Sequence, residues 1–128
     1  MTSTVLPTAS RTALRRIAAL HEACAEPARL RLLNLLQAGE LCVCDLTALT
    51  GLSQPFVSRH LARLRAAEIV RVERRGKFAY YALAELAPSL AAQREAVLHA
   101  VAAAHPSLAR ERRAASIAVA RRDRLPCL

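Results

Sequence analysis

Between Glu40 and Leu64 the chain reads ELCVCDLTALTGLSQPFVSRHLARL, and this stretch leaves few folds open. Ser53 followed by Pro55 is a helix start. The serine hydroxyl can cap free backbone N–H groups, and proline in the first turn gives up an N–H that has no helical partner anyway. Val57, Leu61 and Leu64 then recur at helical spacing and form one buried stripe. The opposite side carries Gln54, Ser58, Arg59 and Arg63. Glutamine and arginine make paired hydrogen bonds to adenine and guanine edges in a DNA major groove. Upstream, Leu46 and Leu49 give a shorter apolar stripe, and Gly51 supplies the turn. Helix, glycine turn and helix is the helix-turn-helix pattern, although the same residues also describe a helical hairpin with a solvated face.

The following segment decides between these readings. Ile69–Glu73 and Phe78–Leu83 are rich in β-formers, and Arg74-Arg75-Gly76-Lys77 lies between them. A lone hairpin is marginal in water, so this one must pack against the helices as a wing. Its cations Arg74, Arg75 and Lys77 then lie over phosphates or a minor groove. Charge agrees: the net charge is +9, and 18 of the 19 cations are arginine. Such a balance implies a polyanionic partner, and arginine suits bidentate phosphate and guanine contacts better than lysine does.

With 128 residues the chain holds one domain and little more. The expected layout is a flexible N-terminus over 1–10, a winged helix-turn-helix DNA-binding and dimerisation domain over 11–105, and a basic tail over 106–128. The class is mainly α with a small β-hairpin (α+β). A first helix runs from Ser10 or Arg11 to about Ala25, with Leu14, Ile17, His21 and Cys24 on one face. Glu26-Pro27 breaks it, a second helix spans Ala28–Gln37, and Gly39 is expected as a left-handed cap. After Pro88 a helix of about Ser89–Ala104 carries Leu90, Val97, Leu98 and Val101. The tail sets six arginines against Glu111 and Asp123. It reads either as a helical extension or as a solvated segment, and its sharper reading is extra non-specific DNA affinity. Apolar content is 54% with only 3% aromatics, so the core is one of small side chains in close-packed helices, completed by a dimer. No run of 18 apolar residues or signal peptide stands out. The expectation is a cytoplasmic protein with reduced thiols and no membrane partner.

Cys42 and Cys44 carry the remaining chemistry. On a regular helix, residues two apart point roughly 200° away from each other, whereas in an extended segment they share a side. Joint capture of one ion is therefore expected to need a non-helical backbone around Val43. The box lies at a helix start, where thiol pKa values fall, and thiolates select soft ions over magnesium, calcium or manganese.

These residues together resemble the ArsR/SmtB family of metal-responsive repressors. The resemblance rests on AEPARLRLLNLL (25–36), ELCVCDL (40–46), SQPFVSRHLARLR (53–65) and RRGKFAYYAL (74–83), and covers roughly residues 12–105. It implies a homodimer on an inverted-repeat DNA operator, with the first and last core helices at the dimer interface. Gln54, Ser58 and Arg59 would meet bases, and the Arg74–Lys77 wing would meet the backbone. The ELCVCDL box implies release by arsenite or antimonite, or alternatively by cadmium, lead or zinc. In the arsenite sensors a third cysteine often follows one turn after the second; here that position is Thr47. Cys127 and Cys24 are then the candidate third ligands, beside a small cellular thiol. The family's other metal site is not matched: His99 and His105 fall off one helical face, and Ala84-Glu85-Leu86 replaces its acidic/His pair. His60 reads as a packing or phosphate residue, and His21 as interface or core.

Three further readings compete. A thiol redox switch would need Cys24 or Cys127 as partner, because a disulfide within CxC is strained. A thiol enzyme lacks any accompanying constellation. An architectural DNA coater would bind without regard to sequence, with affinity set mainly by salt.

Overall fold

The computed structural model describes residues 5–122. Helix α1 (Thr8–Ala23) is followed by α2 (Pro27–Leu36), a short strand β1 (Leu41–Cys42), α3 (Val43–Thr50) and α4 (Gln54–Ala66). Strands β2 (Val70–Arg75) and β3 (Phe78–Leu83) form the wing, and α5 (Pro88–Ala104) and α6 (Pro106–Arg122) complete the order. The fold is a mainly helical winged helix-turn-helix.

Local chemistry accounts for most boundaries. The Glu26 side chain accepts the Arg29 N–H and caps α2, with Pro27 at its first position. Ser53 accepts the Phe56 N–H and caps α4. Gly51, at φ 72°, ends α3 in the left-handed conformation that glycine adopts without strain. In the wing, Arg75 faces Phe78 across a two-residue turn. Gly76, at φ 60°, takes the first turn position, as the glycine-first hairpin turn requires.

The core is one cluster. Leu32, Leu33 and Leu35 of α2, Leu46 of α3, and Val57, Leu61 and Leu64 of α4 are fully buried, with Ile69 and Leu98 beside them. The stripe expected on α4 is therefore the face that seats it. Leu14, expected on one face of α1 with Ile17, is 54% exposed in the single chain.

Three features differ from the sequence expectation. Gly39 does not end α2, which closes on Gln37 in a right-handed conformation. Gly39 instead has φ 138°, and a Cβ there would meet Val119 of α6 at 3.2 Å. The wing is a three-stranded antiparallel sheet of order β1-β3-β2, because Leu41 and Cys42 pair with Tyr81 and Tyr80. Residues 106–122, left open as helix or solvated segment, form α6, which folds back on α2, α3 and α5. Its Ala115 is fully buried, and Asn34 of α2 donates to the Leu108 carbonyl at 3.0 Å. Arg31 forks onto Glu111 at 2.8 Å and also donates to the Thr50 carbonyl at 2.9 Å. The hydrogen bond to Glu111 raises the Arg31 pKa further.

Candidate functional site

The cysteine box sits where β1 turns into α3. Cys42 is the N-cap residue, in extended conformation at φ −82° and ψ 164°. Its sulfur accepts the Asp45 N–H at 3.4 Å, and the Asp45 carboxylate accepts the Cys42 N–H at 3.3 Å. This is a capping box with a cysteine sulfur in the usual hydroxyl position. Cys44 lies in the first turn of the helix.

Because Cys42 is extended while Cys44 is helical, the two sulfurs already meet. They are joined as a disulfide, with Cα atoms 5.3 Å apart. Two expectations are thereby corrected. Convergence of the sulfurs needs no unwinding of α3 around Val43, since the break in helical geometry is the cap itself. Nor does oxidation of either cysteine need Cys24 or Cys127 as partner.

Asp45 joins the pair as a third donor: the ligand atoms of Cys42, Cys44 and Asp45 all lie within 4.8 Å of one another. Cys42 Sγ is 3.2 Å from Asp45 Oδ2. Sequence reasoning placed Asp45 in the first turn without seeing it as a donor; its position three residues after the cap is the signal. Cys24 is not brought to this group. It closes α1 as a buried residue of the core cluster. Cys127 lies outside the described residues.

Burial pushes the Cys24 thiol pKa up, against the opposing charges of Arg29 and Arg94. A raised folded-state pKa contributes stability that is fully present below the unfolded thiol pKa and is lost as pH rises through the folded value. Over about pH 8 to 10 the urea midpoint should therefore fall as the thiol ionises in the unfolded chain. Replacing Cys24 by Ala should flatten that fall. An unchanged slope in the variant would place the pH dependence elsewhere.

On the polar face of α4, Gln54, Arg59 and Arg63 are exposed and Ser58 is half-buried, and these residues are not equivalent. Gln54 Nε2 donates to Ser58 Oγ at 3.1 Å, so these two residues present one polar edge. The Arg59 guanidinium is exposed, 5.4 Å from the centroid of the Phe56 ring. Arg63 instead pairs with Glu22 of α1 at 3.3 Å. On the wing, Arg74 and Lys77 are exposed. Arg75 is engaged by Glu40, whose hydrogen bond raises its pKa, and lies 4.0 Å over the Tyr80 ring. Arg122 at the end of α6 donates to the Glu40 carbonyl and approaches the same ring. Glu40 and Tyr80 thus hold the wing, the box and α6 together, a role the two-residue β1 hid from periodicity.

His60 packs edge-on against Phe56, with Nδ1 3.7 Å from Glu26. His21 is exposed, and its Nε2 is 2.7 Å from Gln93 of α5.

A cleft of about 330 Å³ connects the two halves of the site. Its walls include Cys42, Cys44, Gln54, Ser58, Arg74 and Lys77. The sulfur pair and the groups expected to meet DNA therefore line one cleft. Among the described residues, no helix is long and apolar enough to cross a membrane.

Residues 26–72 match the family described as "Bacterial regulatory protein, arsR family". The chain is 54% identical over 56 residues to the arsenic resistance transcriptional regulator ArsR1 of Pseudomonas putida, covering 44% of this chain and 43% of that protein. It is 37% identical over 71 residues to the arsenical resistance operon repressor of Bacillus subtilis, covering 55% of this chain and 68% of that protein. The matched stretch thus spans less than half the length of the first of these relatives. Among solved structures, the homodimeric winged helix-turn-helix DNA-binding domain Mb0332 of Mycobacterium bovis is similar at a TM-score of 0.63 and 26% identity. That match covers 74% of this chain and 86% of the other.

Proposed function

Because the chain belongs to the arsR family of bacterial regulatory proteins, we propose that it is a dimeric transcriptional repressor, released from an inverted-repeat operator when trivalent arsenic or antimony binds Cys42 and Cys44. The observation that carries this reading is the placement of both sulfurs at the cap of α3, in one cleft with Gln54, Ser58, Arg74 and Lys77. Once the Cys42–Cys44 disulfide is reduced, the pair supplies two adjacent thiols, the donors a soft ion takes.

The coupling follows from what the sulfur already does. Cys42 Sγ holds the Asp45 N–H that starts α3, and the Cys42 backbone is paired with Tyr80 of the wing. An ion that claims this sulfur weakens the cap and pulls on β3 at once. Helix α4 packs on α3, so the reading helices and wings of the two subunits lose their match to two half-sites. Titrating arsenite into a protein–operator complex should weaken binding by roughly 5- to 150-fold, the usual span of such couplings. Unchanged affinity at saturating arsenite, antimonite, cadmium, lead and zinc would end the proposal.

The dimer is assigned to α1 and α5. Leu14 is exposed on α1, and a groove of about 330 Å³ between the helices is lined by Ala13, Ile17 and Leu90. Apolar surface of this kind suits a second copy of the same helices.

In this reading Gln54, Ser58 and Arg59 contact bases, while Arg74 and Lys77 contact phosphates. Arg63 and Arg75 act mainly by holding α4 to α1 and the wing to the box. Replacing Arg59 by Ala should cost about 1–3 kcal/mol on the preferred operator and relax base preference. Replacing Lys77 by Ala should weaken all duplexes alike and lower the salt slope by about one. Anisotropy titrations at several salt concentrations measure both.

Two observations favour specific alternatives. Asp45 beside the thiols supports a divalent cadmium, lead or zinc site with mixed sulfur and oxygen donors. The Cys42–Cys44 disulfide supports a redox switch. Release by peroxide without metal would favour the latter, and counting sulfur ligands by absorption separates the metals.

A further inference from the structure

Helix α6 presents its arginines to solvent along one line. Arg110, Arg113, Ile117 and Arg121 recur at i, i+3, i+7 and i+11, which is one helical face, and all four are exposed. The opposite face, through Glu111, Ala115, Ala118 and Arg122, is turned to the body of the protein. We propose that the outward row is a second phosphate-binding surface, which takes the DNA backbone beyond the segment met by α4 and the wing. The inference rests on the DNA-binding part of the reading above and not on its metalloid part.

The row is held in place from both ends of the helix. Arg31 forks onto Glu111 at 2.8 Å, and Asn34 donates to the Leu108 carbonyl at 3.0 Å. At the other end Arg122 donates to the Glu40 carbonyl, and the Glu40 carboxylate engages Arg75 of the wing. Tyr80 lies beneath both guanidinium groups, 4.0 Å from that of Arg75 and 5.4 Å from that of Arg122. Arg121 therefore stands beside the wing, whose exposed cations Arg74 and Lys77 flank Arg75 and Gly76. From there the row continues along α6 for roughly 16 Å to Arg110. The wing and the row are thus joined through one hub, Glu40 and Tyr80.

Charge selects the partner. The exposed charged side chains of α6 are Arg110, Arg112, Arg113 and Arg121, all cationic. Glu111, the one acidic residue of the helix, is taken by Arg31. Duplex DNA carries a negative charge about every 1.7 Å along its axis, so arginines spaced along a helix meet phosphates in any register. A membrane-surface helix needs a broad apolar face, and a protein interface needs an apolar centre. Ile117 is the only large apolar side chain exposed on α6. Phosphate contacts read no bases, so the row adds affinity and orientation on any duplex that runs past the wing.

The test is made without inducer, on the full chain, with R110Q/R113Q/R121Q as the variant. Glutamine keeps the helix propensity while removing the charge, and the urea midpoint should barely move. The probes are an operator duplex selected from a random pool and trimmed to its two half-sites, and the same duplex extended on each side by about ten base pairs, one helical turn. On the extended duplex the wild-type protein should bind roughly three- to thirtyfold tighter than the variant, the worth of three exposed ion pairs. The salt slope there should fall by about two to three in the variant, and by about one in R121Q alone. On the trimmed duplex the proteins should bind nearly alike. Equal losses on both duplexes would overturn the proposal, since the arginines would then act only through net charge. Unchanged affinity and salt slope on the extended duplex would overturn it too. So would a variant that keeps DNA but loses binding to vesicles of anionic lipid, which assigns the row to a membrane surface. A wild-type protein that selects no duplex from the pool sinks the repressor reading and this inference together. Selection of an operator whose flanks make no difference sinks this inference alone.

Discussion

A protein carrying serine at both Cys42 and Cys44 should hold its operator in saturating arsenite. The expected change is the loss of the whole inducer effect, about 1–3 kcal/mol of coupling, with little change in affinity when no inducer is present. Serine is the informative substitution because Cys42 has two jobs. Its sulfur accepts the Asp45 N–H, and a serine hydroxyl performs that task well. The double variant therefore keeps the start of α3 while removing both soft donors. Replacing Cys42 alone by Ala removes donor and cap together, at a further cost of about 1 kcal/mol in stability. Comparing the two by anisotropy and by urea midpoint separates the trigger from the scaffold. A double-serine protein that still lets go of DNA in arsenite would place the trigger elsewhere.

The largest expected loss of stability is at Leu61. This side chain is fully buried on α4, between the reading face and the core that also holds Leu32 and Leu46. Replacement by Ala removes its apolar contacts and leaves a cavity, which costs about 2–5 kcal/mol. A domain of this size has only about 5–15 kcal/mol in all. The urea midpoint should fall sharply with the slope unchanged, and operator binding should drop with the folded fraction. A loss below 1 kcal/mol would mean that α4 is not seated by this stripe. Leu14, 54% exposed on α1, should tolerate the same change in a single chain and, on the α1–α5 dimer proposed above, reveal its cost through subunit association.

The reading helix was legible because each of its signals is local. Ser53, Pro55 and the stripe of Val57, Leu61 and Leu64 act within one element, and Gly51 marks the turn before it. The wing was legible through its β-formers and the glycine between its cations. Strand β1 was not, because two residues cannot show a period. Its pairing with Tyr80 and Tyr81 depends on a strand nearly forty positions away. That same pairing sets the extended backbone of Cys42, so the close approach of the sulfurs was hidden with it. Helix α6 was ambiguous for a different reason. Its inward stripe has Ala115 buried and Leu108, Glu111, Ala118 and Val119 half-buried. Alanine carries little hydrophobic signal, and Glu111 reads as solvated until Arg31 is found opposite it. The pairing of Arg75 with Glu40 and of Arg63 with Glu22 was not legible either, because charge alone does not reveal a partner.

The chain contains no tryptophan and two tyrosines, Tyr80 and Tyr81. Both stand on β3 directly opposite Cys42 and Leu41, and Tyr80 lies beneath the guanidinium groups of Arg75 and Arg122. The tyrosine emission of this protein therefore originates beside the cysteine box. Opening of the sulfur pair, or arrival of a heavy soft atom beside it, registers in that light without any label.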